Sequence, residues 1–315
     1  MGCWNILITA SRACQAIETY REALEPAGCR LFVHPPAIER HAEEQLLPLV
    51  STIDGIVCGD DRITDRVFEA APRLRVVAKW GTGIDGIDLE AAKRRGVFVC
   101  NTPGAFTEPV ADSVLAYLLL FARRPDTMAH DMREGRWTHL PLVSLGERTL
   151  GLVGFGDIAR AVARRASAFG MPVLTCDVRP IDVDAAALGV EVVSLNELLT
   201  RSDFVSLHVN LSPGTRGLMN ASRIGLMKPT AVLVNTSRGA LVDERALVAV
   251  LESGRLGGAA LDVFEEEPLA EDSPLRRMTN VYLAPHNANS SRAAAERVHV
   301  NCISNVLKVL CSTEQ

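Results

Sequence analysis

The sequence has no apolar run long enough to span a membrane. Its longest apolar stretch, residues 110–122, carries Asp112 and falls short of the roughly 20 residues that a spanning helix needs. The first residues lack the apolar region of a secretory signal, and no block of like charge occurs. With a net charge of −5, these absences predict a cytoplasmic protein that binds neither nucleic acid nor a membrane.

Cysteine pairs at the spacing of a metal site are also missing. None of the eight cysteines forms a CxxC pair, and most of them lie within apolar runs. This pattern is typical of buried, reduced thiols. We therefore expect neither disulfides nor a bound metal.

Short apolar runs alternate with longer amphipathic stretches, which is typical of β–α–β units and a parallel sheet. The sequence therefore predicts an α/β protein with two sheets, separated by a helix over residues 106–124 and a polar connector. The pattern does not assign the last amphipathic helix, residues 291–310, to either sheet. The predicted strands are 5–10, 30–33, 55–58, 75–79 and 97–100 in the first sheet, and 149–154, 173–177, 204–209, 231–236, 259–263 and 281–284 in the second.

A glycine motif opens the second series of strands. An apolar strand runs into Gly154-x-Gly156-x-x-Ala159, and a helical pattern follows. Gly154 permits a tight turn, Gly156 lets a pyrophosphate approach the backbone, and Ala159 is small enough for helix–strand packing. The amides of Asp157 and Ile158 then begin a helix whose positive end favours phosphate. The motif predicts a dinucleotide site, and the alternative is a plain glycine turn.

The strand after this helix ends in Asp177, at about the spacing expected for the acid that binds the adenosine ribose. A carboxylate there repels a 2′-phosphate, so NAD (NADH) is favoured and NADP is less expected. Arg179, two residues later, is a cation that would tolerate the phosphate. The alternative for Asp177 is an ordinary acid in a turn.

Chemically capable side chains follow three later strands. Arg238 follows one strand, the glutamates 265–267 follow the next, and His286 follows the last. The carboxyl ends of parallel strands share one edge, so these side chains can converge at the nicotinamide end of a dinucleotide.

These side chains suit hydride transfer to or from a small 2-hydroxy or 2-keto acid. Arg238 can hold a carboxylate through two hydrogen bonds, and His286 can exchange a proton near neutral pH. One of Glu265, Glu266 and Glu267 would hold the imidazolium. For Arg238 the alternative is a cation at the start of a helix. For the glutamates it is a solvated acidic run, and for His286 it is an ordinary histidine in a turn.

Several segments carry more specific patterns. They are KWGTGIDGID (79–88), NTPG (101–104), GRW (135–137), LGLVGFG (150–156), HVNLSPGT (208–215), NTSRGALVD (235–243), DVFEEEP (262–268) and APHN (284–287). They resemble the D-isomer-specific 2-hydroxyacid dehydrogenase family, which includes phosphoglycerate dehydrogenases and glyoxylate/hydroxypyruvate reductases. The resemblance covers about residues 50–300.

The resemblance implies two Rossmann-like, doubly wound domains. The substrate-binding, flavodoxin-like domain would comprise residues 1–103 and 289–315, and residues 104–288 would form the NAD-binding Rossmann domain. The final helix then belongs to the substrate domain. The resemblance also implies a homodimer that forms through the NAD-binding domains.

The resemblance assigns roles to individual residues. Arg238 binds the substrate carboxylate, and Glu267, the glutamate before proline, pairs with His286 as the acid–base. Substrate binding is further assigned to the amides of Gly81, Thr82, Gly83 and Ile84, and Lys79, beside them in the sequence, is with Arg62 an obvious cation. Cofactor contacts are assigned to Gly154, Gly156, Asp157, Ile158, Asp177, His208, Val209, Thr215, Thr236, Ser237 and Asp262.

One departure from the family bears on the substrate. Asp60 and Asp61 stand where phosphoglycerate enzymes carry phosphate-binding arginines, which disfavours phosphoglycerate. Two rival interpretations remain. A non-catalytic, NAD(H)-sensing scaffold, like related corepressors, would keep the same residues. A formate dehydrogenase would pair glutamine with the histidine, and Glu267 argues against it.

Overall fold

The computed structural model describes residues 3–38 and 40–311. Residues 1, 2, 39 and 312–315, which belong to the predicted substrate domain, lie outside the described residues. The chain forms two compact units, Met1–Phe106 with Ser291–Gln315, and Thr107–Ser290. Each unit contains one open sheet of parallel strands, so the predicted α/β fold is confirmed.

The first unit has a five-stranded sheet in the order β2-β1-β3-β4-β5. All residues of the central strands β3 and β4 are buried, which explains why both are apolar except for the buried Lys79 that ends β4. The strands are β1 (Trp4–Ile8), β2 (Cys29–Val33), β3 (Gly55–Cys58), β4 (Val76–Lys79) and β5 (Phe98–Cys100). The helices are α1 (Ser11–Gln15), α2 (Ile17–Leu24), α3 (Glu43–Leu46), α4 (Asp65–Ala70) and α5 (Leu89–Arg94), with a 3-10 turn at Leu47–Leu49.

The second unit has a seven-stranded sheet in the order β12-β11-β10-β9-β6-β7-β8. The strands are β6 (Leu150–Val153), β7 (Val173–Cys176), β8 (Glu191–Val192), β9 (Phe204–Leu207), β10 (Val232–Asn235), β11 (Gly258–Leu261) and β12 (Val281–Leu283). The helices are α6 (Thr107–Arg123), α7 (Pro125–Arg133), α8 (Asp157–Ala168), α9 (Asp182–Ala187), α10 (Leu195–Arg201), α11 (Ala221–Ile224) and α12 (Glu244–Glu252), with 3-10 turns at Leu145–Glu147, Gly239–Leu241 and Pro274–Arg277.

Alternate residues of the central strands face two separate cores. Val232 and Val234 pack with α6 and α8, whereas Leu233 packs on the opposite face with α10 and α12. Burial on both faces explains why these strands read as continuous apolar runs.

The final helix, α13 (Arg292–Cys311), packs against β4 and α2 of the first unit. Its Asn301 donates hydrogen bonds to the Asn101 carbonyl (3.0 Å) and to Thr102 Oγ1 (2.8 Å). None of the helices in the described ranges has both the length and the apolar content to cross a bilayer.

Two elements, α7 and β8, were absent from the sequence prediction. Helix α7 forms where we predicted only a connector, because Arg124 adopts a left-handed conformation (φ 44°) and Pro125 starts a new helix. None of its residues is buried, so it contributes no core-facing apolar run to the sequence pattern. Strand β8 is two exposed residues at the sheet edge, too short for a pattern to reveal.

Candidate active site

The turn after β10 fixes the backbone of Arg238. The buried side chain of Asn235 donates from Nδ2 to the Arg238 carbonyl (2.9 Å) and accepts from the Ser237 amide (3.1 Å). Ser237 Oγ donates to the Leu207 carbonyl at the end of β9 (2.7 Å). Arg238 Nη1 donates to the Ser237 carbonyl (2.9 Å). Hydrogen bonds therefore fix the turn that carries Arg238 at the edge of the sheet.

Gly239 brings two loops into direct contact. A Cβ atom at this position would lie 1.8 Å from the carbonyl carbon of Phe264, in the loop after β11. Only glycine allows this approach of the two backbones. The turn of Arg238 and the acidic loop are therefore held against each other.

Glu267 is the glutamate that contacts His286. Its Oε2 lies 2.9 Å from His286 Nδ1, and its Oε1 accepts a hydrogen bond from the Phe264 amide (3.0 Å). An ionised carboxylate only accepts, so Nδ1 carries the proton in this bond. Glu265 differs, because its amide donates to Glu244 (3.2 Å) and burial raises the pKa of its carboxyl.

Asp262 holds the turn of the histidine. His286 has φ 48°, a conformation that residues other than glycine rarely adopt. The Asp262 carbonyl accepts from the His286 amide (2.8 Å). Its carboxylate oxygens accept from the amides of Asn287 and Ala288, both at 2.8 Å. Burial raises the pKa of Asp262. The carboxylate that the resemblance assigns to the cofactor is thus already bonded to this turn.

The glycine turn after β6 packs against the end of β9. Gly154 has φ 90°, and a Cβ there would lie 2.9 Å from the His208 carbonyl oxygen and 2.8 Å from Val209 Cγ1. A Cβ at Gly156 would meet nothing within 4 Å, so open space lies beside the start of α8. The structure therefore groups Gly154, His208 and Val209, and it leaves room where Asp157 begins the helix.

Asp177 and Arg179 form a close ion pair. The guanidinium donates from Nε to Oδ1 (3.1 Å) and from Nη2 to Oδ2 (3.0 Å). Arg179 thereby holds the pKa of Asp177 well below its usual range. Oδ2 also accepts from the Phe155 amide inside the glycine turn (2.9 Å). Asp177 is therefore an ionised group that braces the turn.

Buried polar atoms near this edge have no partner within the part of the chain that the structure describes. They include Thr236 Oγ1 and both ring nitrogens of His208. Burial lowers the pKa of His208 to about 4, so the ring is neutral at physiological pH. Unpaired buried polar atoms are costly unless a ligand satisfies them. Together with the space beside Gly156, they fit a dinucleotide. Thr215 differs, because its hydroxyl donates to the Asn210 carbonyl (2.7 Å).

In the first unit, the loop of residues 81–84 follows β4. Gly81 has φ 135°, and its carbonyl accepts from the Thr102 amide (2.9 Å). Thr82 donates from Oγ1 to the Thr102 carbonyl (3.3 Å), and its own carbonyl accepts from Asn101 Nδ2 (2.5 Å). Trp80, just before the loop, donates from Nε1 to His299 Nδ1 on α13 (3.1 Å). The loop therefore has a fixed backbone.

The acids 60 and 61 have different surroundings, although the sequence analysis treated them alike. Asp60 Oδ1 lies 3.2 Å from Lys79 Nζ. Asp61 is buried and accepts from Thr9 Oγ1 (2.6 Å) and the His41 amide (2.7 Å). Burial alone would raise the pKa of Asp61, but the hydrogen bonds from His41 and Thr9 lower it overall. Asp61 thus shapes the loop after β3, and Asp60 faces the lysine.

The structure thus brings Arg238, Glu267 and His286 to one edge of the second sheet, with the cofactor-assigned residues along the same unit. Lys79 and the loop 81–84 lie in the first unit. The sequence analysis missed the bracing role of Asn235. An asparagine two residues before Ser237 is typical of an Asx turn, and this pattern could have indicated the role of Asn235 from the sequence.

Known proteins resemble the chain over most of its length. A sequence profile described as "D-isomer specific 2-hydroxyacid dehydrogenase, NAD binding domain" matches residues 115–288. A glyoxylate reductase of Korarchaeum cryptofilum is 46% identical over 254 residues, 78% of this chain and 76% of the relative. The chain belongs to the D-isomer specific 2-hydroxyacid dehydrogenase family.

Two solved structures share the fold. A D-lactate dehydrogenase from Aquifex aeolicus, complexed with NAD and lactic acid, matches with a TM-score of 0.88 at 28% identity, over 98% of this chain and 96% of the other. An NADPH-dependent glyoxylate/hydroxypyruvate reductase from Sinorhizobium meliloti, in complex with NADP and malonate, matches with a TM-score of 0.84 at 31% identity, over 98% and 93%. The protein is thus a D-2-hydroxyacid dehydrogenase that uses a nicotinamide cofactor.

Proposed function

We propose that the dehydrogenase interconverts a small 2-keto acid, such as glyoxylate or hydroxypyruvate, and its D-2-hydroxy acid with NAD(H). The observation that carries this proposal is the pairing of His286 Nδ1 with Glu267 Oε2 at 2.9 Å. The turn of Arg238 lies against the loop that supplies Glu267. An acid–base group and a carboxylate-binding cation thus share one sheet edge.

In this proposal, each residue has one task. His286 donates a proton from Nε2 to the keto oxygen during reduction and removes it during oxidation. Glu267 orients the ring through Nδ1 and stabilises the imidazolium. Arg238 binds the substrate carboxylate through parallel hydrogen bonds. The bound nicotinamide supplies or accepts the hydride.

We propose that residues 104–288 hold the cofactor and that residues 1–103 and 289–315 form the substrate domain. Gly154, Gly156 and the amides of Asp157 and Ile158 would bind the pyrophosphate. The remaining cofactor contacts are proposed for the adenosine side (Asp177, His208, Val209, Thr215) and the nicotinamide side (Thr236, Ser237, Asp262). In the first unit, Lys79 and the amides of Gly81, Thr82, Gly83 and Ile84 are proposed to bind the substrate.

We propose NAD over NADP because the Asp177 carboxylate repels a 2′-phosphate. Changing Asp177→Asn keeps an acceptor for the Phe155 amide and frees Arg179 from its ion pair. The ratio of kcat/KM for NADPH to that for NADH is expected to rise about tenfold, since one repulsive charge is removed and one cation is released. Steady-state kinetics with both cofactors measure this ratio.

Arg179→Ala is the matched variant. It should leave the ratio unchanged or lower it, because the carboxylate remains. An Asp177→Asn enzyme with unchanged preference would show that neighbouring groups determine the choice of cofactor.

A substrate panel tests the proposed function. Glyoxylate, hydroxypyruvate, pyruvate, phenylpyruvate and phosphohydroxypyruvate are each assayed with NADH and NADPH by the loss of reduced-cofactor absorbance. We expect the highest kcat/KM with glyoxylate or hydroxypyruvate. Tight NADH binding without turnover of any acid would instead favour the non-catalytic scaffold.

We also propose a homodimer formed through the NAD-binding unit. Met132 and Trp137, five residues apart in this unit, are 54% and 78% exposed, and a partner surface there would cover both. Light scattering gives the mass in solution, and a monomer at micromolar concentration would contradict the proposal.

A further inference from the structure

The indole of Trp80 lies beside the loop of residues 81–84, which the proposed function assigns to the substrate. Trp80 directly precedes Gly81, and its side chain is buried. Its Nε1 donates to Nδ1 of His299 on α13 (3.1 Å). Its ring centroid lies 5.8 Å from that of Phe106, and a Cβ at Gly81 would lie 3.7 Å from Phe106 Cε2. The orientation of the indole therefore bears directly on the start of the loop.

The imidazole of His299 accepts from two donors at one nitrogen. An indole N–H only donates, so Nδ1 of His299 accepts from Trp80 and carries no proton. The hydroxyl of Tyr20 on α2 lies 3.0 Å from the same nitrogen and is therefore also a donor to it. The Tyr20 ring meets the imidazole edge-on, at an interplanar angle of 85°. Burial lowers the pKa of His299, which favours the neutral ring that this bonding requires.

A second residue of α13 bonds to the segment that supports the loop. Asn301 Nδ2 donates to the Asn101 carbonyl (3.0 Å) and to Thr102 Oγ1 (2.8 Å). The Thr102 amide donates in turn to the Gly81 carbonyl (2.9 Å), and the Thr102 carbonyl accepts from Thr82 Oγ1 (3.3 Å). Helix α13 therefore holds the surroundings of the loop at two places.

We propose that His299 is a positioning residue for substrate binding. Through the indole N–H of Trp80 it fixes the start of the loop 81–84, whose amides are proposed to bind the substrate. A loop that is already ordered binds an anion more tightly, because it loses less conformational freedom on binding. His299 itself touches neither substrate nor cofactor. This inference rests on the proposed function and adds a residue to the support of its substrate loop.

Two substitutions of His299 separate the acceptor from the bulk of the ring. His299→Leu leaves an apolar side chain in the same space, and the indole N–H loses its partner. His299→Asn keeps an acceptor near the position of Nδ1, because the branch atom of both side chains lies one bond beyond Cγ. With saturating NADH and the best keto acid of the panel, KM should rise about fivefold in His299→Leu, and kcat should stay within about twofold of native. His299→Asn should return KM to within about twofold of native.

A double-mutant cycle with Trp80→Phe tests whether the effect passes through the indole. Phenylalanine keeps a ring beside Phe106 but has no N–H to donate. Trp80→Phe alone should raise KM by a similar factor, and adding His299→Leu should change it by less than about twofold, because the bond is already absent. Tyr20→Phe is the matched control. It removes the other donor to the same nitrogen and leaves the indole bond, so KM should stay native-like.

Hydrogen–deuterium exchange of residues 80–84, followed by mass spectrometry, measures the order of the loop without turnover. The exchange rate should rise about fivefold in His299→Leu, since a hydrogen bond that holds the loop is lost. It should return to the native rate in His299→Asn and stay native-like in Tyr20→Phe. If His299→Leu does not fold, Trp80→Phe removes the same bond from its other end and carries the test.

The outcomes distinguish the two proposals. A native enzyme that reduces no keto acid would contradict the proposed function itself. A native enzyme that reduces one, with a folded His299→Leu variant whose KM and loop exchange stay within about twofold of native, would overturn the role of His299 alone. An equal rise in KM on adding His299→Leu to the native and to the Trp80→Phe enzyme would also overturn it, since the effect would then bypass the indole.

Discussion

Replacing His286 by alanine is expected to lower kcat for keto-acid reduction by a factor of about 10²–10⁴. The side chain is the only group in the proposed mechanism that exchanges a proton with the keto oxygen, and acid–base catalysis contributes factors of that size. The turn of Gly154, which is proposed to bind the nucleotide, lies on a different loop, so the affinity for NADH should change little. Steady-state kinetics and NADH fluorescence titration measure the two effects separately.

Glu267→Gln is the matched variant for this prediction. Glutamine keeps an acceptor opposite Nδ1 but removes the charge that stabilises the imidazolium. The loss in kcat should therefore be smaller than for His286→Ala. Native-like turnover in a folded His286→Ala enzyme would refute the assignment of the acid.

Gly239→Ala is expected to lower the free energy of unfolding by about 3 kcal/mol or more. The added methyl group would overlap backbone atoms of Phe264, which cannot turn aside as a flexible side chain can. Either the turn of Arg238 or the loop of Glu267 must shift, so kcat/KM should fall as well. Urea unfolding followed by circular dichroism measures the stability.

Gly214→Ala is the control for that substitution. Gly214 lies in an exposed loop of the same unit, where the nearest atom to an added Cβ is Ser212 Oγ at 3.9 Å. Its unfolding free energy should stay within about 0.5 kcal/mol of native. If the two variants had equal free energies of unfolding, the loops of Arg238 and Glu267 could move apart without a loss of stability, and the prediction would be wrong.

The sequence predicted the architecture because apolar residues are spaced differently along buried parallel strands and along amphipathic helices. The family and the class of enzyme, also predicted, are confirmed by the comparisons. The predicted strands 204–209 and 231–236 extended too far. Their last residues, including His208 and Thr236, belong to the turns after β9 and β10.

Contacts between distant parts of the chain were beyond prediction. The hydrogen bond from Trp80 to His299 joins residues 219 positions apart, and no local sequence pattern at either residue indicates the contact. The distinct surroundings of Asp60 and Asp61 arise from side chains on other strands and loops. The carboxylates of Asp262 and Glu267 likewise form hydrogen bonds with residues near position 286, which only the folded chain brings close to them.

The position of α13 has a consequence for the order of folding during synthesis. Cys302 Sγ donates to the Lys79 carbonyl, 223 residues earlier in the chain (3.5 Å). The ribosome therefore finishes the continuous second unit before it makes the helix that covers β4. The unit that begins the chain is completed last, and until then β4 lacks the helix that covers one of its faces.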